Sequence, residues 1–109
     1  MNIEDVKTWK DAVEFTVYKY STVTRRRALS GACGFCHITE ERDKECSACP
    51  VHAQPCGCDS FWNFYLSRPR VHEIFAAIRA KVKIFSTRNI RAALIKELRP
   101  RERKIFLGE

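Results

Sequence analysis

The chain of 109 residues has no apolar run approaching the roughly 18 residues of a membrane span. That argues against a membrane partner. Its first residues, Met-Asn-Ile-Glu-Asp, lack the basic and apolar regions of a secretory signal, which predicts a cytoplasmic location. No His-x-Glu precedes a Pro-Cys-x-x-Cys, the arrangement of nucleobase deaminases, and no His-Glu-x-x-His is present. Those absences argue against a catalytic metal and against an enzyme, and no small-molecule substrate is evident. Acid is scarce toward the C-terminus: residues 61–109 hold four Asp/Glu against twelve Lys/Arg.

Sulfur, by contrast, is concentrated. All six cysteines fall between Cys33 and Cys58, as Cys33-x2-Cys36, Cys46-x2-Cys49 and Cys56-Gly57-Cys58. A C-x-x-C turn aims two thiolates at one point, and two such turns supply four tetrahedral ligands for zinc. A reducing compartment favours metal over disulfides. The sequence therefore predicts one structural Zn2+ on Cys33, Cys36, Cys46 and Cys49, with Cys56, Cys58 or His52 as substitutes. His37 adjoins Cys36, and adjacent residues rarely reach one ion. With His37 and His52 the cysteines make eight potential ligands, so two sites are the alternative count. Carboxylates at Glu40, Glu41, Asp43 and Glu45 are read as a solvated hairpin tip rather than a catalytic base. An iron–sulfur cluster is the alternative cofactor, because Cys49-Pro50 resembles the end of a ferredoxin motif; the tight C-x2-C-x2-C run is missing. Cys33-Gly34-Phe35-Cys36 also has dithiol redox spacing, which needs a strand–helix context and the first thiol at a helix N-terminus.

The formal charge of +7 is unevenly distributed, at +2 over residues 1–30, −3 over 31–60 and +8 over 61–109. The positive field thus lies away from the cysteines. A chain of this length is one domain, here divided into an N-terminal helical segment (1–30), a metal-binding module (31–60), a helical segment (61–99) and a basic tail (100–109). Val6, Trp9, Val13, Thr16, Tyr20 and Val23 recur at helical steps after Asn2, a candidate cap with Asp5 three residues on. The β-branched and aromatic run from Val13 to Thr24 keeps a strand open there. Ala32 to Ser60 has no helical period, and its apolar Phe35, Ile38 and Val51 are expected to pack the knuckles on the helices. Phe61, Trp62, Phe64, Tyr65 and Leu66 form an aromatic cluster ended near Pro69, read as the join between module and core. Val71, Ile74, Phe75, Ile78 and Val82 share a helical face. Ser86 or Thr87 caps a further helix bearing Ile90, Leu94, Ile95 and Leu98, which Pro100 stops. Arg101 to Glu109, with Ile105, Phe106 and Leu107, is read as an edge strand or loose anchor. The expected fold is mainly α, a small zinc-stapled domain with an N-terminal helix, a cysteine-rich zinc-knuckle loop module and two to three C-terminal helices.

Trp9 and Ala12 on a leading helix, Cys33-x-x-Cys36, Cys46-x-x-Cys49-Pro50-Val51 and then Cys58 resemble small cysteine-rich proteins of tailed phages. Those show a C-x-x-C, a C-x-x-C-P-[LIV] and a later Cys followed by Thr-Pro-Tyr. The resemblance spans roughly Trp9 to Val82. This chain has Asp59-Ser60-Phe61 after its last cysteine and an extra Cys56, which leaves the later ligand open. The resemblance implies a viral-type intracellular accessory protein and no particular activity. Cys46-x2-Cys49-x6-Cys56 also resembles half of the fungal binuclear-cluster signature, but no cysteine lies six residues after Cys36, and that fold is not carried over.

Three readings follow. The first is a zinc-stapled regulator that binds nucleic acid through Arg79, Lys81, Lys83, Arg88, Arg91 and Lys96, with Arg25, Arg26 and Arg27 nearby. Val71 to Leu98, two helices with a turn at Ser86, has helix-turn-helix order, although the Lys83 to Thr87 connection is long and lacks glycine. The second is an adaptor or inhibitor of a host protein, its acidic Glu40 to Glu45 loop meeting a basic partner. The third is an iron–sulfur or redox protein. The striped first helix also leaves a homodimer open.

Overall fold

The structure is a computed structural model and describes residues 2–21, 33–53 and 68–108. Among them are five α-helices and no strand: α1 (Trp9–Ser21), α2 (Gly34–Glu41), α3 (Arg68–Lys81), α4 (Thr87–Glu97) and α5 (Pro100–Leu107). Short 3-10 turns cover Ile3–Asp5 and Cys46–Ala48. The mainly α expectation holds, and the strand alternative for the segment after Val13 gives way to helix through Ser21.

α1 and α4 each start on a specific polar signal. Asp5 accepts from the Asn2 amide at 3.3 Å, which closes only the 3-10 turn. The true start of α1 is Thr8, whose hydroxyl accepts from Asp11 N (3.2 Å) while the Asp11 carboxylate accepts from Thr8 N (3.1 Å). This reciprocal pair satisfies orphan donors of the first turn. Ser86 caps α4 by accepting from Asn89 N at 3.1 Å.

α4 ends at Glu97, ahead of Pro100 as expected, and both this proline and Pro69 also open helices. Pro69 is the second residue of α3 and Pro100 the first of α5. Proline is tolerated there because its missing N–H would have had no intrahelical partner. The edge strand or loose anchor expected at 101–109 is therefore corrected to a helix through Leu107. The Glu102 carboxylate accepts from Arg99 N at 2.9 Å and from Arg70 Nη2 at 2.9 Å. Phe106 is fully buried, and Gly108 ends the helix in left-handed conformation at φ 76°.

α1 is the centre of the packing, with α3 and α2 both laid against it and α4 packed on α3. Its buried face is wider than one stripe: Ala12, Val13, Phe15, Thr16, Val17 and Lys19 are all buried. The expected α3 face forms, with Val71, Ile74, Phe75 and Ile78 buried and Val82 packed at the margin. Ile90, Leu94 and Leu98 close the core from α4. The aromatic cluster from Phe61 to Leu66 lies outside the described residues.

The module between 31 and 60 is not loop throughout. Its first C-x-x-C runs into α2, an eight-residue helix, because Gly34 and Phe35 dock on α1. A Cβ on Gly34 would stand 3.1 Å from Ala12 Cα, so the two backbones meet where neither residue has bulk. Phe35 is buried between Trp9 (centroids 6.1 Å) and Phe75 (5.6 Å). Phe35, Ile38 and Val51 pack the module on the helices as expected. α2 ends when Asp43 turns left-handed at φ 52°, with Lys44 N donating back to Thr39 O at 2.9 Å. Glu40 and Glu41 belong to its last turn rather than to a hairpin tip. They and Asp43 and Glu45 are exposed.

Candidate cysteine centre and basic helix face

Cys33 is the N-cap of α2, where the chain turns from extended to helical (φ −126°, ψ 118°). Three residues on, Cys36 comes round beside it and donates its S–H to the Cys33 sulfur. That hydrogen bond, then the helix-start amides of Cys36 and Phe35 and the charge of Lys19, hold the Cys33 thiol down to about 6, against a usual 9.0; burial opposes them. Negative charge at a helix N-terminus meets unbonded N–H groups and the positive end of the dipole.

Two inward-turned cations face this sulfur-rich region. Lys19 on α1 is only 8% exposed, and burial lowers its pKa while the nearby Cys33 raises it. Arg91 on α4 shows the same pattern, with burial first and Cys49 opposing. Its Nη1 donates to the carbonyls of His52 (2.7 Å) and Pro50 (3.3 Å), and its guanidinium lies 4.8 Å from the Phe106 ring centroid. An inward ammonium or guanidinium is stable only beside negative charge or acceptors. Lys19 thus favours thiolate rather than thiol at Cys33, while Arg91 is held by the His52 and Pro50 carbonyls with Cys49 close by.

Of the predicted metal ligands, Cys33 and Cys36 are brought together. Cys49 is buried in the core, in the turn after Cys46–Ala48 that touches α2. The side chain of Cys46, and Cys56 and Cys58 entirely, lie outside the described residues. Among the described residues, no three Cys, His, Asp or Glu side chains converge on a metal-sized point. Two imidazole nitrogens of this region, His37 Nε2 and His52 Nδ1, are buried without a hydrogen-bond partner.

The basic surface separates into outward and inward cations. Arg79, Lys83, Arg88 and Lys96 are exposed. Lys81 is exposed as well, and bonds the Glu97 carboxylate at 2.6 Å. Arg91 is drawn inward, as described, which departs from its expected place among the phosphate contacts. Arg25, Arg26 and Arg27 lie outside the described residues. On α4 the exposed positions are Arg88, Asn89, Ala92 and Lys96, spaced as one helical face with no acid in it; Arg99, also exposed, lies beyond the end of the helix. Among the described residues, the carboxylates of this half are paired: Glu73 and Glu102 with Arg70, and Glu97 with Lys81.

Sequence reasoning missed Lys19. The signal was available, since Lys19 follows Ala12 by seven residues and Phe15 by four, on the same side of α1. No helix of the described residues is long and apolar enough to cross a membrane. No protein-family model, curated protein or solved structure matches the chain.

Proposed function

We propose that this chain binds nucleic acid through the outward face of α4 and the adjoining end of α3, on a scaffold stapled by one structural zinc. The observation that carries the reading is the acid-free exposed stripe of Arg88, Asn89, Ala92 and Lys96, with Arg79 and Lys83 on the preceding segment also exposed. A helix of that character matches the phosphate spacing and polar edges of a nucleic acid groove. Four outward cations on as many phosphates imply a slope of log affinity against log salt of about −3.6. Arg88→Ala with Lys96→Ala is expected to halve that slope in mobility-shift titrations. Absence of any shift at low salt sinks the reading. A host complex that survives nuclease treatment would instead favour the adaptor.

Zinc is supported by the donor chemistry. Cys33 and Cys36 are paired at a helix start, Cys49 is buried nearby, and Lys19 and Arg91 offset negative sulfur. Cys46 completes the ligand set, with Cys56, Cys58 or His52 as substitutes. When bound, zinc crosslinks α2 to the Cys46–Ala48 turn and keeps the thiolates deprotonated. Elemental analysis of protein purified without air is expected to give one zinc per chain, and a strong chelator to unfold it. One observation favours a second reading, a redox-active dithiol: Cys33 at a helix N-terminus with a lowered pKa. Folded protein without metal, whose Cys33 and Cys36 interconvert with a disulfide against glutathione, would replace zinc with that reading.

A further inference from the structure

We infer that Ile84, at the turn between α3 and α4, is an apolar wedge that enters the base stack of duplex DNA while the surrounding cations hold flanking phosphates. The inference rests on the nucleic-acid reading above and narrows it to duplex DNA at a deformable step.

Ile84 is 73% exposed, against 38% for Ile105, the other exposed large apolar group among the described residues. A single exposed isoleucine is ordinary. What sets this one apart is how rigidly it is displayed. The Ile84 carbonyl accepts from Asn89 Nδ2 at 2.8 Å and from Ser86 N at 3.1 Å. Ser86 is in turn fixed as the α4 cap. A β-branched side chain on a pinned backbone has few conformations left to lose, so insertion costs little further ordering. The side chain helps line an open cleft of about 390 Å3 with Lys81, Val82, Lys83, Asn89 and Ala92.

Charge selects the partner. Arg79, Lys81 and Lys83 precede Ile84 and Arg88 follows it, and the acid bonded within this group, Glu97, is matched to Lys81. An apolar tip that shares its cleft with Lys81 and Lys83 suits a target that is polyanionic outside and apolar between its planes, as stacked base pairs are. Magnitudes agree. Burying an isoleucine offsets an amount of free energy comparable to that of unstacking one base step. The wedge therefore reshapes the duplex at little net cost, and phosphate contacts carry the affinity. The same contribution is too small to hold the chain on a lipid surface, where even one myristoyl chain binds marginally. Duplex RNA presents a shallow minor groove read chiefly through hydroxyls and phosphates. Pyrimidine–purine steps of DNA open most readily.

The test uses the full chain and a short DNA duplex carrying 2-aminopurine beside a central TA step, with dyes at both ends. Binding at saturation is expected to raise 2-aminopurine fluorescence severalfold and to bring the dyes closer. Ile84→Ala is expected to return both signals to those of the free duplex while the salt slope persists. Ile84→Phe retains the unstacking. Because the side chain is exposed, neither variant should alter the melting curve. A saturated complex with unchanged fluorescence overturns the wedge, as does an Ile84→Ala complex identical to wild type. Loss of binding to anionic vesicles but not to DNA on Ile84→Ala also overturns it, in favour of a lipid surface. Failure to bind any nucleic acid at low salt removes the underlying reading, a result distinct from binding without unstacking.

Discussion

Replacing Phe35 by alanine tests how the cysteine turn is held. The ring is fully buried between Trp9 of α1 and Phe75 of α3, directly between Cys33 and Cys36 in sequence. Deleting a buried phenylalanine removes its transfer free energy and leaves a cavity, a loss of about 3–5 kcal/mol. Domains of this size have a total stability of about 5–15 kcal/mol, so the variant should remain folded but fragile. With a urea m value of about 1.5 kcal/mol/M, the unfolding midpoint should fall by about 2–3 M. Far-UV circular dichroism follows the transition, and the m value reports whether both proteins unfold from equally compact states. Because the aromatic anchor seats both sulfurs, zinc retained after dialysis against a weak chelator should fall as well. A midpoint shift corresponding to less than about 1 kcal/mol, at unchanged m, would refute the claim that Phe35 anchors the module. Undiminished zinc retention would separate the ligands from the core contact argued here.

Gly34→Val places Cβ 3.1 Å from Ala12 Cα, a backbone atom that cannot swing away. Parting α1 from α2 should lower stability by about 1–3 kcal/mol, read as a drop in melting temperature. Under the redox-dithiol reading, in which the reduced chain folds without metal, Cys33 provides a pH test. Its folded value of about 6 lies below the unfolded 9.0, so its contribution is complete above about pH 9 and is lost as pH falls through 6. Stability should therefore rise across that window by at most about 1.4 kcal/mol per pH unit, and Cys33→Ser should flatten the rise in urea titrations. Removing residues 100–109 takes away buried Phe106 and the Glu102 partner of Arg70. Loss of about 3 kcal/mol or more is expected, whereas a truly loose tail would leave the melting temperature unchanged.

Much of the helical framework was legible because periodicity reports burial directly. Val71, Ile74, Phe75 and Ile78 repeat at helical steps, and they line the buried side of α3. Ser86 announces α4 because a hydroxyl before an apolar run satisfies a free amide. The start of α1 was misread at Asn2, since Thr8 and Asp11 form the reciprocal pair that opens it. The short α2 carries no long period, and Gly34 within it looks like a break. It is helical because its first turn fits against Ala12, a contact between distant parts of the chain. The tail was misjudged for a similar reason: Pro100 stops or starts a helix according to what lies beyond it, and that depends on a site for Phe106.

The pattern of residues alone determined a largely helical chain, the grouping of its sulfur and the excess of cations toward its end. These follow from composition and local spacing, which need no partner elsewhere. Only the tertiary structure decided which cations face out and which face in. Arg88 and Lys96 remain exposed, Lys19 turns toward Cys33 and Arg91 toward Cys49, and Ile84 stands clear of the core. A charge acquires its role from what burial brings beside it, and α1, α2, α3 and α4 must pack before those neighbours exist.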